Sequence, residues 1–344
     1  MLGVFIAAAV ATWIAGTRLS QATDTIDRAY GLGDALGGVI LLAVAGTLPE
    51  IAITVSAAAS GHLDLAAGNL IGGIAVQTMV LVVCDAACSR TTSLTYLVGS
   101  LTAVLEGLLV VFVVAEVMGG ALLPASDSIG PVSPASIAIV VTWLAGIVVL
   151  KEVRNRPAWD CVMPGSSPGR PHRRIKHPAE PDRPLTSSPH RAIVVFVVAS
   201  AVTLGAGVVL EVAGNDLANR AGINGVIFGA TVLATATALP EISSGIAAVR
   251  LGDNALAVAD IFGGNAFQVC LFLVADLVAG QPVLPTAGAP NGWLAALGIV
   301  LTVVYSFGVV VRLKRAYVGL GVDSILVLGL FALGIVGLYA IQHP

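Results

Sequence analysis

The chain has 344 residues, 57% of them hydrophobic and only 11% charged, with a mean hydropathy of +0.95. A water-soluble globule carries about 25% charged residues, so most of this surface must face lipid. The net charge of −3 says little by itself; where the charges sit says more, and no nucleic acid is expected as a partner.

Crossing the hydrocarbon core takes about 20 apolar residues. In chain order the segments that qualify are 2–18, 31–58, 64–88, 94–116, 134–151, 191–212, 222–249, 255–280, 291–312 and 318–341. The first has no basic leader and no cleavage-site pattern, so it reads as a transmembrane helix and not a signal peptide. Between the fifth and sixth lies 152–190, rich in Pro, Arg, His and Ser and without helical periodicity; it reads as a flexible linker. The expected fold is an all-α membrane protein of ten transmembrane helices. Its parts are a first five-helix half, 1–151, the linker 152–190, and a second five-helix half, 191–344.

The charges set the orientation. With the N-terminus outside, every Lys and Arg except Arg220 falls in or beside an odd-numbered connection. The even-numbered connections hold Glu116, Asp127, Glu211 and Asp216. By the positive-inside rule the odd connections, the 152–190 loop among them, are cytoplasmic. The expected location is a multi-pass protein of the plasma (inner) membrane.

The two halves repeat each other. Leu48-Pro49-Glu50-Ile51 recurs as Leu239-Pro240-Glu241-Ile242, an offset of 191 (241 − 50). Gly72-Gly73 and Gln77 recur as Gly263-Gly264 and Gln268, Gly61 as Gly252, and Asp85 as Asp276, all at the same spacing. Five helices per half is an odd number, so the second half enters from the opposite side. That makes an inverted repeat, a frequent architecture of secondary transporters.

Glu50 and Glu241 each lie deep in an apolar helix, directly after a proline. A charge at the bilayer centre costs about 2.5–3.5 kcal/mol on insertion scales, so two at matched positions call for a cation or protons. A proline lacks an N–H and breaks the helix, releasing carbonyl oxygens beside each carboxylate. The alternative for one such acid is a neutral group that ties helices together. Thr47 and Thr237 share a helical face with Glu50 and Glu241 and either join a cation site or bond back to their own helices. Gly72-Gly73 and Gly263-Gly264 permit close backbone approach, and the paired Gln77 and Gln268 are expected to face the interior. Asn69 and Asp260 match each other near the starts of these helices, whereas Asn265 matches Ile74. Glu106 has no counterpart and reads as a packing or proton-relay residue, while Asp85 and Asp276 read as solvated helix-end acids. Cys84, Cys88, Cys161 and Cys270 show no metal or disulfide spacing.

These residues resemble the cation/calcium exchanger superfamily, the sodium/calcium exchangers and their calcium/proton relatives. Its two repeats carry a Gly-Thr-Ser-x-Pro-Glu-like segment followed by a Gly-Asn-x-x-Gly-Ser-Asn-like segment. Here they read Gly46-Thr47-Leu48-Pro49-Glu50 then Gly68-Asn69-Leu70-Ile71-Gly72-Gly73, and Thr237-Ala238-Leu239-Pro240-Glu241 then Ala259-Asp260-Ile261-Phe262-Gly263-Gly264-Asn265. The resemblance implies that Glu50 and Glu241 are the central calcium-binding carboxylates. It also nominates Thr47 and the backbone around Gly46 and Thr237. Serines of the motifs are replaced by Ala238, Gly73 and Gly264, and the sodium-site positions one turn on are Gln77 and Gln268.

The expected function is antiport of Ca2+ or a similar cation against H+ or Na+, by alternating access around the paired glutamates, with H+ favoured because the missing hydroxyls are sodium ligands. The candidate cation site comprises Glu50, Glu241, Thr47, Thr237, Gln77, Gln268, Gly46, Asn69 and Asp260. No cofactor is expected beyond the transported cation, and the partners are inorganic cations and the bilayer. The chain is not expected to be an enzyme. Two other classes compete, an intramembrane enzyme using the carboxylates as an acid/base pair and a non-transporting cation-sensing scaffold. Transport by glutamine variants of the two glutamates discriminates among them.

Overall fold

The computed structural model describes residues 1–30, 44–155, 188–286 and 288–342. Among these, eight helices are long and apolar enough to cross a membrane, and a bent helix pair supplies a ninth crossing. The described helices run, in order, α1 (Leu2–Tyr30), α2 (Leu48–Ser60), α3 (Leu63–Cys88), the short α4 (Leu94–Val98), α5 (Leu101–Gly120), α6 (Pro134–Asn155) and α7 (Pro189–Ala221). After these come α8 and α9 (Gly225–Thr237 and Leu239–Arg250), bent by 45° where they meet. The chain ends with α10 (Asn254–Gln268), α11 (Leu271–Ala279), α12 (Ala289–Val311) and α13 (Val322–Gln342). The protein is therefore an all-α, multi-pass membrane protein. Much of the expected 31–58 segment, and the expected linker between 156 and 187, lie outside the described residues.

Depth in the bundle follows burial. The best apolar window of α3 is 78% buried, against 22% in α6 and in α13. α3 is thus the central post, and the outer helices turn Phe112, Val141 and Leu333 to lipid. Small residues allow the close approaches that packing in lipid requires. A Cβ on Gly72 would strike Ala230, and one on Gly68 would strike the backbone of Val226, so α3 lies directly against α8. Gly16 of α1 rests on the Pro240 ring, and Gly207 of α7, 191 residues later, rests on Ala52 and the Pro49 carbonyl. Each of these two long helices is thereby seated on a proline that precedes one of the glutamates.

Several expected boundaries shift. The segment 94–116 is not one helix: α4 ends at Gly99, whose φ of 42° is the left-handed cap a glycine provides cheaply, and the span starts at Leu101. Glu106 is consequently in the second turn of α5, not in mid-helix. The segment 255–280 is interrupted after Gln268, where the Phe267 carbonyl accepts from Cys270 N and the Val269 carbonyl from Phe272 N, tightening the turn. The final span begins at Val322, after a two-stranded hairpin pairing β1 (Ala316–Tyr317) with β2 (Leu320–Gly321). That hairpin meets the loop before α4, where Thr92 bridges to Arg315. Here Arg312 donates to the Tyr96 carbonyl and Arg312 and Lys314 flank the Tyr96 ring, so part of the basic set shares one end of the bundle.

Asp85 and Asp276 are not solvated: they are 1% and 0% exposed. Asp85 accepts from the backbone N–H of Leu94 (2.6 Å) and Gly321 (2.7 Å) and from the Ser324 hydroxyl (2.5 Å). Asp276 accepts from the N–H of Val283 (2.7 Å) and Ser133 (2.9 Å). Asp85 pins the end of α3 to the start of α4 and to the β2–α13 junction, and Asp276 pins the end of α11 to the loop at Val283 and to Ser133, just before α6. Glu211, expected in a connection, is also fully buried, inside α7. It accepts from the Ser56 hydroxyl (2.8 Å) and contacts His62 Nδ1 at 2.7 Å, tying α7 to the α2–α3 corner.

Candidate functional site

Both Leu-Pro-Glu-Ile segments begin a new helix inside the bundle. Thr47 (φ −97°, ψ 15°) and Ala238 (φ −79°, ψ −2°) are the N-caps of α2 and α9, each with its proline in the first turn. Proline is tolerated there because a first-turn N–H has no intrahelical acceptor. The carbonyls of Ala45 and Ala236 accordingly receive no bond from Pro49 and Pro240. Upstream, α8 contains the π-helical turn Gly229–Leu233, which places an extra residue in the turn just before the break. Glu50 and Glu241 stand in the first turns of the restarted helices, at the positive end of each helix dipole, where carboxylates are favoured.

The two carboxylates converge. They are 1% and 9% exposed and lie within electrostatic reach of each other. Gln77 Nε2 approaches Glu50 Oε1 at 3.4 Å, and the Thr237 hydroxyl faces Glu50 from the other part of the chain. The second oxygen of each glutamate, Oε2, is buried without a hydrogen-bond partner. Unpaired buried acceptors are costly and uncommon, and here a pair of them converges.

Beside them opens a cavity of about 40 Å3 lined by Gly16, Ser20, Ala45, Gly46, Thr47, Pro49, Gln77, Pro240, Glu241, Ser244, Asp260 and Gly264. A water needs only about 10–15 Å3 on the same measure, so an ion with accompanying water fits. None of the described lining residues is basic. Of the expected site residues, Glu241, Gln77, Thr47, Gly46 and Asp260 meet at this cavity, and Glu50 and Thr237 stand behind Gln77. Both threonine hydroxyls also bond back to their helices, Thr47 to the Val44 carbonyl (3.5 Å) and Thr237 to that of Ala234 (3.1 Å).

Asn69 and Gln268 are elsewhere. Gln268 does not mirror Gln77: its Nε2 donates to the carbonyls of Leu70 (2.8 Å) and Asn69 (3.3 Å) across the α3–α10 interface. Asn69 is fully buried with neither amide atom paired, as is Asn265. Gly73 explains the asymmetry. A Cβ there would collide with Gln268 Nε2, so this glycine makes room for a side chain and not for a backbone. At Gly264 a Cβ would meet only Gln77 Oε1, at 3.8 Å, and at Gly263 it would meet nothing within 4 Å. We therefore expect Gly264→Ser to fold as the parent does, while Gly73→Ser expels Gln268 and lowers the melting temperature in detergent by several degrees; equal melting of the two variants would contradict this packing.

Sequence reasoning missed Ser244. Its hydroxyl donates to Asp260 Oδ2 (3.2 Å) and to the Glu241 carbonyl (3.2 Å). The signal was there, since Ser244 is three residues after Glu241 and shares its helical face. Glu106 faces the Arg154 guanidinium at 3.8 Å, remote from the cavity. Among the described cysteines, Cys84, Cys88 and Cys270 are free thiols, and Cys88 donates to Asn254 Oδ1 at 3.4 Å.

Comparison with known proteins places this architecture. The chain is 27% identical over 313 residues to the inner membrane protein YrbG of Escherichia coli (strain K12), covering 90% of this chain and 88% of that protein. Its fold resembles that of the crystal structure of the H+/Ca2+ exchanger CAX, with a TM-score of 0.68 at 14% identity, covering 99% of this chain and 87% of the other. It also resembles the sodium-calcium exchanger NCX_Mj, with a TM-score of 0.60 at 16% identity and 97% of each chain covered. The family model described as sodium/calcium exchanger protein matches residues 1–150 and 191–341, and the chain belongs to that family.

Proposed function

We propose that the protein is a secondary active antiporter that carries Ca2+, or a similar hard cation, against H+ or Na+, by alternating access around Glu50 and Glu241. The observation that carries this reading is the convergence of two buried carboxylates, each with an unpartnered oxygen, beside a cavity without a basic residue. Two ionised carboxylates cancel the charge of one divalent cation. Calcium takes about 6–8 oxygen ligands, and the glutamates supply up to about four of them. The Gln77 amide oxygen, the Thr47 and Thr237 hydroxyls, the carbonyls at Ala45 and Gly46, and water complete the shell. Asn69 and Gln268 join only if α3 and α10 shift on transport.

After the cation leaves, two protons neutralise the same carboxylates and allow the site to cross back. Sodium exchange needs further oxygens, and Gly73 and Gly264 offer none. Protons are therefore the favoured counter-ion. The 191-residue repeat supports an inverted-repeat transporter whose parts rock about this centre, in an inner membrane with the linker cytoplasmic. Calcium uptake into proteoliposomes, measured with pH and sodium gradients imposed separately, tests the coupling. Uptake driven by the pH gradient alone is expected; uptake driven only by sodium overturns the proton assignment.

A further inference from the structure

The cavity lies on one side of the glutamates. Ala45, Gly46 and Thr47 precede Glu50; Ser20 follows Arg18 in α1; Ser244 lies between Glu241 and Arg250 in α9; and Asp260 is in the second turn of α10, after Arg250. All of these positions are toward the basic ends of their helices. The positions 191 residues away, on the opposite side, are packed shut: Ile53 (matching Ser244), Asn69 (matching Asp260) and Glu211 (matching Ser20) are each 0% exposed. The space matching that beside Gly264 is filled at Gly73 by the Gln268 amide.

The two sides differ in chemistry as well as in openness. On the basic side a carboxylate, Asp260, accepts from the Ser244 hydroxyl at 3.2 Å. Opposite, the matching pair is an amide and a hydrocarbon, Asn69 and Ile53. The cavity that Asp260 and Ser244 line also receives Glu241, a side chain 9% exposed whose Oε2 has no partner. Asp260 and Glu241 lie within electrostatic reach of each other, and no cationic side chain lines the space between them. Two carboxylates and a hydroxyl around a water-sized space are an all-oxygen donor set suited to a hard cation.

We propose that Asp260, Ser244 and Glu241 form a one-sided loading position, where a hard cation arriving from the basic, linker-bearing side is held before it reaches Glu50. Among the described residues the acid on the opposite side is Glu211, and its carboxylate is already engaged by the Ser56 hydroxyl at 2.8 Å and His62 Nδ1 at 2.7 Å. The transporter is therefore built with unequal affinities: tighter for the cation on the linker side, weaker on the other. This rests on the antiporter reading and adds a direction to it.

The test is half-saturation by Ca2+ measured separately from each side, in inside-out and right-side-out membrane vesicles holding the full chain. Asp260→Asn is expected to raise the half-saturating concentration about tenfold from the linker side, and by less than about twofold from the other. Equal shifts on both sides, or none on the linker side, overturn the proposal. If Asp260→Asn fails to fold, Ser244→Ala keeps every charge and is expected to raise the linker-side value about threefold; a symmetric or absent shift again overturns it. Glu241→Gln separates the two ideas. Full Ca2+ flux in that variant overturns the antiporter reading itself, whereas a Glu241→Gln without that flux and a symmetric Asp260→Asn overturn only the loading position.

Discussion

Glu50→Gln and Glu241→Gln are each expected to abolish cation-coupled flux while leaving the protein folded. Glutamine has the shape of glutamate, and Oε2 of each residue has no hydrogen bond to lose, so the bundle should tolerate the exchange. The charge has no substitute. With one carboxylate gone, a divalent cation loses half of the paired charge at the centre, where its near partners among the described residues are Gln77, Thr237, Asp260 and the remaining glutamate. Losing a charged ligand is worth on the order of 3 kcal/mol, roughly a hundredfold in affinity. Calcium flux in proteoliposomes, with elution on size exclusion as the check of folding, reads the result. Full flux in either well-folded variant would end the antiporter assignment.

The largest effect on stability is expected at Asp85. Its two oxygens satisfy two backbone N–H groups and a hydroxyl from two segments, the start of α4 and the β2–α13 junction. Asp85→Ala leaves those donors buried without acceptors, at about 1–3 kcal/mol each, so a loss of roughly 3–9 kcal/mol follows from the same range. The variant should be recovered in low yield or melt far below the parent. Asp276→Ala, which removes the acceptor of the Val283 and Ser133 amides, should be damaging to a smaller degree. Thermal unfolding in detergent, followed by tryptophan fluorescence, ranks the three proteins. An Asp85→Ala variant melting with the parent would show that water replaces the carboxylate and that the pinning role is wrong.

What could be read from the sequence, and what could not, follows from the range of the forces involved. The spans were visible because each is a long apolar run, and the repeat because Leu-Pro-Glu-Ile and its followers recur at a fixed spacing. The helix breaks at the glutamates were readable from local proline chemistry. Gln268 was misplaced because its partners, the carbonyls of Asn69 and Leu70, are 199 and 198 residues away; repeat symmetry predicts a twin of Gln77, and packing at Gly73 decides otherwise. Asp85 and Asp276 read as solvated, and Glu211 as part of a connection, for the same reason. A carboxylate near a helix end looks exposed until the loop or helix that covers it is known. Ser244 escapes a comparison of the two repeats, because its counterpart is Ile53.

The crossed attachments also bear on how the chain is made. Asp85 waits for Gly321, 236 residues later in the chain, and Glu211 reaches back 155 residues to Ser56. At a synthesis rate of about 5–20 residues per second, the first of these waits lasts roughly 10–50 seconds. Through that interval the ribosome has already released an early carboxylate into the membrane with part of its donor set not yet synthesised. The early helices must therefore be held by the insertion machinery, or shielded by water near the membrane surface, until α13 arrives. The Asp85 attachment is completed only by the segment that opens α13, and a chain truncated before residue 321 would present the quality-control system with an intramembrane acid still lacking its partners.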